Sequence, residues 1–185
     1  MDTPLAFSPL PAQRLQQLQH LFEQIARSRM AGLPILNPAL RVEALGFEPL
    51  PAEALPADPA AQAPPQPRPE LLGILITPWF MNLLCLPLRP CLAPAAEPKR
   101  TLHLGGQRFE FLPHVEPALG AFWCCSLFSP MNEFAAQAQA RETALAVLQA
   151  LRAKPAAAPQ AEAVHASRRA LLFGRPAAIS AAGRL

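Results

Sequence analysis

Tyrosine is absent from the 185 residues, which removes phenol chemistry from consideration. Paired CxxC elements are absent too, and a zinc ribbon needs them. The four cysteines stand at Cys85, Cys91, Cys124 and Cys125. On a strand, the adjacent Cys124 and Cys125 would point to opposite faces, and a disulfide between them would distort it. All four read as small buried apolar residues, a common role for a reduced thiol. A thiol oxidoreductase would need an exposed cysteine of depressed pKa, and the apolar neighbours of Cys124 and Cys125 argue against one. The histidines, His20, His103, His114 and His165, are isolated, with no HxxxH or HExxH spacing to set two ligands on one helix face. No GxSxG elbow surrounds Ser126 or Ser129. The pair Gly105-Gly106 suits a hairpin turn, not a phosphate loop. No enzyme, metal or cofactor is expected.

Neither sign of charge dominates, with 16 basic and 13 acidic residues. The net charge is +3, without the concentrated basic face that nucleic-acid binding shows. Acidic residues stop at Glu162, whereas Arg168, Arg169, Arg175 and Arg184 follow it. That end is a small positive block suited to an acidic partner surface. The longest apolar run, Leu71 to Leu88, is broken by Thr77-Pro78, Asn82 and Pro87, so no stable membrane insertion is expected. Met1 to Pro11 has no basic stretch leading into an apolar one, which a secretory signal requires. The expectation is a soluble cytoplasmic protein with reduced cysteines.

Proline is what the sequence has in excess. There are 24, of which eight fall between Pro49 and Pro69. Leu50 to Glu70 has hardly any large apolar residue after Leu55 and reads as a flexible or polyproline-like Pro/Ala-rich insertion. The strands flanking it can still pair, because each doubling of loop length adds only about 0.6 kcal/mol of closure entropy. The expected organisation is a flexible N-terminus at 1–12, a folded domain at 13–152 with its insertion at 50–70, and a linker with an Arg-rich tail at 153–185.

Within that domain, Gln13 to Met30 predicts an amphipathic helix, with Leu15, Leu18, Phe22 and Ile25 on one face and Gly32 and Pro34 beyond its end. Arg41 to Pro49 predicts a strand through Val42, Leu45 and Phe47. Leu71 to Thr77 and Phe80 to Leu86 predict two more, meeting at Pro78 as a hairpin or a bent strand. Alternation across Arg108 to Leu112 and Ala121 to Phe128 completes the set. Ser129-Pro130 predicts a helix start, serine at the cap and proline in the first turn. That helix runs to about Arg152, with Phe134, Ala138, Arg141, Leu145, Val147, Leu148 and Leu151 facing inward. The expected fold is α+β: a two-layer sandwich whose antiparallel sheet of about five strands is flanked by an N-terminal and a C-terminal helix.

Two segments carry more large apolar side chains than a core needs. Trp79, Phe80 and Met81 either cap the core or form a patch that grips a partner, and Met131 poses the same choice. In the tail, Leu171, Leu172 and Phe173 sit among Arg168, Arg169 and Arg175. An apolar run of this kind either docks on its own domain or meets another protein, since burying each large side chain is worth about 1.5–3 kcal/mol.

Three motifs resemble the HybE/HupJ family: Ile76-Thr77-Pro78-Trp79, then Ser126-Leu127-Phe128-Ser129-Pro130-Met131, and Arg168-Arg169-Ala170-Leu171-Leu172-Phe173-Gly174-Arg175. Their order matches, and the resemblance covers about Gln13 to Arg175. It departs in a longer Pro/Ala segment and in a short extension after Arg175. Members are accessory proteins for assembly of membrane-bound [NiFe]-hydrogenases. The resemblance implies a non-enzymatic α+β chaperone. Its expected partner is the small-subunit precursor before twin-arginine export, with the large subunit or other maturation factors as further partners. It carries over no catalytic residues. The candidate partner-binding residues are Trp79, Phe80, Met81, Met131, Arg168, Arg169, Leu172, Phe173 and Arg175. The alternative is a metal or iron–sulfur handling protein of the same pathway, built on the four cysteines.

Overall fold

The computed structural model describes residues 9–55, 69–91 and 98–153. Helix α1 spans Pro9–Arg27 and helix α2 spans Gln137–Arg152. Between them run six strands: β1 Glu43–Pro49, β2 Glu70–Ile76, β3 Met81–Pro87, β4 Arg100–Leu104, β5 Gln107–Glu116 and β6 Gly120–Phe128. All pairings are antiparallel, in the order β1-β2-β3-β6-β5-β4. The α+β class with a helix at each end is the one the sequence implies.

The sheet has one strand more than expected. Strand β4 pairs Leu104 with Gln107 across Gly105-Gly106. Both glycines have positive φ, 56° and 76°, as a tight two-residue hairpin turn requires. The turn was legible but the short strand before it was not, since it has only Leu102 and Leu104 as a pattern and follows a proline-rich stretch.

The two helices cover opposite faces of the sheet. Leu18, Leu21, Phe22 and Ile25 of α1 pack on Leu75, Leu84, Leu86 and Phe122. Leu148 of α2 lies instead beside Leu72, three residues from Leu75 and therefore on the other face. Arg141 of α2 bonds Glu43 at 2.9 Å, and Arg152 donates to the Gly46 carbonyl at 2.6 Å. The sheet curls around the α2 side, so that the short 3-10 turn Ala52–Ala54 after β1 packs against β4 at the opposite edge. A Cβ on Gly105 would come 2.5 Å from the Ala150 carbonyl oxygen, so close approach of α2 demands glycine there as well.

Each helix begins away from its expected start. Helix α1 starts at Pro9, inside the stretch expected to be flexible, and its prolines fall in the first turn, where a missing N–H costs no hydrogen bond. Helix α2 starts at Gln137, not at Ser129-Pro130. Residues 129–136 are held as turns: the Ala135 N–H, which a helix would direct to Met131, donates to Gln139 Oε1 at 2.9 Å. The buried stripe of α2 is accordingly Ala140, Ala144, Val147 and Leu148. Ala138, Arg141 and Leu145, expected inside, are exposed.

Candidate functional site

Two of the family-like motifs meet at one end of the sheet, and Asn37 joins them. Its Nδ2 donates to the carbonyls of Met131 at 2.9 Å and Phe134 at 2.7 Å. Its backbone N–H donates to the Pro78 carbonyl at 2.8 Å, and its Oδ1 accepts from Ala39 N at 3.0 Å. This buried amide thus fixes the segment after β6 against the corner between β2 and β3. At that corner Thr77 Oγ1 donates to the Phe80 carbonyl and accepts from the Phe80 and Trp79 N–H groups. The sharp reversal sets Trp79 and Phe80 in fixed positions beside α1. Asn37 has no motif around it, and sequence reasoning missed it.

The corner's two aromatic rings both pack on Phe22. Trp79 stacks on it with centroids 6.4 Å apart, Phe80 meets it edge-on at 5.7 Å, and the two rings contact each other at 5.5 Å. Trp79 is 9% exposed and Phe80 is half-buried. Met81 and Met131 are fully buried. Both methionines were expected among the partner-binding residues, and both are core residues instead: Met81 faces Phe128 across β3 and β6. Arg168, Arg169, Leu172, Phe173 and Arg175 lie outside the described residues.

Helix α1 covers only part of its side of the sheet. Beyond Phe22 and Ile25 a groove of about 490 Å³ opens over β5 and β6, with Trp79 and Phe80 at one end and Leu112 at its outer wall. Leu112 pairs with Cys124, and His114 with Phe122, so these four share the groove face. Leu112 is 61% exposed, the most open of the large apolar side chains among the described residues. Asn82 and Ser126, paired across β3 and β6, give the floor a polar spot. Asn82 Oδ1 is buried with no hydrogen-bond partner. At the far rim the Glu116 carboxylate receives Arg29 Nη2 at 2.9 and 3.0 Å and meets His114 Nε2 at 3.3 Å. Phe22, Asn82, Leu112 and Glu116 were not among the expected partner-binding residues: Phe22 was read as helix core and Asn82 as a break in an apolar run. The period-2 pattern of β5 was the one signal that could have marked Leu112.

The cysteines do not converge. Cys124 lines the groove, while Cys85 pairs with Trp123 and Cys125 with Leu83 on the α2 side. Burial pushes the Cys124 thiol up to about 12, and Cys125 beside it adds to the rise. Burial likewise raises the Cys85 thiol, against the opposing pull of Arg100. Such thiols stay protonated near neutrality, the opposite of what a nucleophile or metal ligand needs. Among the described residues no group of three or more His, Cys, Asp or Glu side chains is placed to hold a metal ion. Nor is any helix among them long and apolar enough to cross a membrane.

The arrangement therefore offers a shaped, largely apolar groove with polar groups at its rim. The family described as "[NiFe]-hydrogenase assembly, chaperone, HybE" matches residues 13–174. Protein HoxT of Cupriavidus necator is 46% identical over 170 residues, 88% of this chain and 89% of that protein. The hydrogenase expression/formation protein HoxT of Azotobacter vinelandii is 38% identical, covering 82% of this chain and 89% of its own. The solution structure of HybE from Escherichia coli is 24% identical with a TM-score of 0.46, covering 88% of this chain and 90% of that one. On the family match and the HoxT identities, the chain belongs to the HybE family of [NiFe]-hydrogenase assembly chaperones, proteins that assist assembly and are not enzymes.

Proposed function

We propose that the protein binds the small-subunit precursor of a membrane-bound [NiFe]-hydrogenase in the cytoplasm and holds it until its metal centres are complete, before twin-arginine export. The observation that carries the reading is the groove beside α1, where Phe80 and Leu112 leave apolar surface open and Trp79 backs one end, next to a corner fixed by Asn37. Open apolar surface rimmed by polar groups is what a protein-binding site needs. Retention of an immature client requires a higher affinity for that state than for the finished subunit, since equal affinity for both shifts nothing. A groove for apolar segments meets the requirement, because such segments are exposed before folding and buried after it. Trp79 and Phe80 stay in the proposed contact set. From the sequence alone, Arg168, Arg169, Leu172, Phe173 and Arg175 form a second proposed contact, through their positive charge and apolar triplet.

Co-purification with separately tagged small and large subunits tests the reading. The small-subunit precursor should retain the wild-type chaperone and lose the Leu112→Lys variant. Capture by the large subunit alone would overturn the choice of client. Truncation after Ala166 should weaken capture if the arginine-rich tail touches the client, and unchanged capture would remove it from the contact set.

A further inference from the structure

We propose that the second half of β5, Leu112 to Glu116, is an open sheet edge onto which the client adds an extended apolar segment as a further strand. This rests on the client-binding reading of the adjoining groove and adds the backbone contact by which the client is held.

Strand β5 is longer than its outer neighbour. Its first half, Gln107 to Phe111, pairs with β4, whereas Leu112 to Glu116 pair only with β6 among the described residues. Two prolines account for the break. Continuing the register of Arg100 opposite Phe111 would set Pro98 opposite Pro113, and neither has an N–H with which to extend the ladder. The hairpin turn fixes where each backbone group points. Across a two-residue loop the closing pair, Leu104 and Gln107, exchanges both hydrogen bonds. Alternation then turns Phe109, Phe111, Pro113 and Val115 toward the β4 side, and Leu112 and His114 toward β6. The missing N–H of Pro113 thus falls on the outer side, where no ladder bond is lost. Ala121, opposite Val115, agrees by turning its own N–H away from β5 to the Cys91 carbonyl at 2.6 Å.

The edge therefore offers the carbonyls of Pro113 and Val115 and the N–H of Val115. Leu112, His114 and Val115 are exposed around them. Since Val115, 40% exposed, and Leu112 lie on opposite faces, open apolar surface flanks the edge above and below. The edge at β1 is closed by contrast. A bulge interrupts it between Leu45 and Glu48, and Arg152 takes the Gly46 carbonyl, two devices that keep foreign strands off an edge.

Two acceptors and a single donor choose the occupant. A second copy in two-fold antiparallel pairing would set Val115 against Pro113 or against itself. Either pairing leaves a carbonyl of each copy without a donor, because Pro113 and Pro117 bring none. A client strand free of proline meets all three groups, and its alternate apolar side chains pack beside Leu112 and Val115. A segment that has joined its own sheet has already committed its backbone groups, so pairing is open to the unfinished client alone.

The test uses the full-length chain and a fluorescein-labelled octapeptide of alternating leucine and threonine, read by fluorescence anisotropy. With the leucines beside Leu112, the threonine amides point at the edge and the leucine amides point to solvent. N-methylating the threonine amides should weaken binding about fivefold or more, the order of one lost hydrogen bond. N-methylating the leucine amides should change it by less than about twofold, since no bond is lost. Val115→Pro removes the edge donor at a position whose N–H takes no part in the ladder, and should weaken the octapeptide about fivefold. Urea unfolding checks that this variant is folded. If it is not, amide exchange by NMR in the wild-type chain carries the test. The Val115 amide should exchange freely alone and about tenfold more slowly or less with the octapeptide bound.

Equal penalties from the two methylations would overturn the proposal, as would no octapeptide binding. So would a Val115 amide that is protected in the dilute free protein or unaffected by the peptide. Protection that rises with protein concentration alone would overturn it in favour of a contact between copies. Undiminished precursor capture by folded Val115→Pro would overturn it and leave the groove reading intact. Octapeptide binding as expected, with no capture of the small-subunit precursor, would remove the client named above and leave the edge's preference for an extended segment standing.

Discussion

The two faces of the sheet are built from the same strands and finished differently. On the α2 side the sheet curls, its edges approach through Ala52–Ala54, and the side chains of Ile74, Leu83, Phe111 and Cys125 are sealed from water. On the other side α1 covers β1 to β3 and stops short of β5, where Leu112 stands open. Phe111 and Leu112 are neighbours in sequence and opposite in fate. Both faces bury core side chains, Leu75, Leu84 and Leu86 under α1 among them, but only the α1 side leaves part of its sheet uncovered. The lesson is that exposed apolar surface is tolerable here because stability is supplied elsewhere.

The sharpest way to break that contrast is to truncate the two neighbours separately. Phe111→Ala should cost about 3–5 kcal/mol, the range for a large side chain removed from a sealed core. Leu112→Ala should change stability by less than about 0.5 kcal/mol, as exposed substitutions do, while client capture falls. Urea unfolding with a parallel pull-down reads both, and a large stability loss in Leu112→Ala would erase the division between faces.

Trp79 lies on the boundary, with one side against Phe22 and the other at the groove. Trp79→Ala should therefore cost somewhat less than the sealed phenylalanine, about 3 kcal/mol, and also reduce capture. Loss of capture with unchanged melting would move Trp79 wholly to the groove side.

Next in size is the clasp between the motifs. Asn37→Ala leaves the carbonyls of Met131 and Phe134 without their donor, which should cost about 1–3 kcal/mol by thermal or urea unfolding. An unchanged midpoint would mean that the corner holds without it.

The smallest effects concern the thiols. Cys124 lies in the groove and Cys85 on the sealed face, yet both have raised pKa values. With Cys124 at about 12 in the folded protein against an ordinary value of 9.0, the unfolded chain loses its proton first as pH rises. The contribution of Cys124 to stability is thus fully present below about pH 9 and is lost progressively toward pH 12. Alkylation by iodoacetamide at pH 8, read by mass spectrometry, should be slow at Cys124 and absent at Cys85 in the folded protein. Fast alkylation of Cys85 would show that the α2 side opens.

Much of the fold was legible because burial dictates local pattern. The continuous apolar run from Leu71, the alternation through Phe122, Cys124, Ser126 and Phe128, and the 3-4-3 spacing in α1 each need only one buried face to be read. The start of α2 was not legible in this way. Ser129-Pro130 is a sound local signal for a helix start, but Asn37, distant in sequence, takes the Met131 and Phe134 carbonyls, and the helix begins at Gln137. That error in phase placed Leu145 inside, where it is 49% exposed. The candidate site divided along the same line. Trp79 and Phe80 announced themselves by composition, whereas Leu112 and Asn82 look ordinary in their strands.

The α+β class, the position of most strands and the family were all readable in the order of residues. These depend on residue type and near spacing, which no distant contact alters. Packing between distant segments set the rest: the helices take opposite faces, Met81 and Met131 are core, and β5 carries open apolar surface. Each of those depends on which side of the sheet another element happens to cover, and one-dimensional spacing assigns side chains to alternate faces without saying which face meets water.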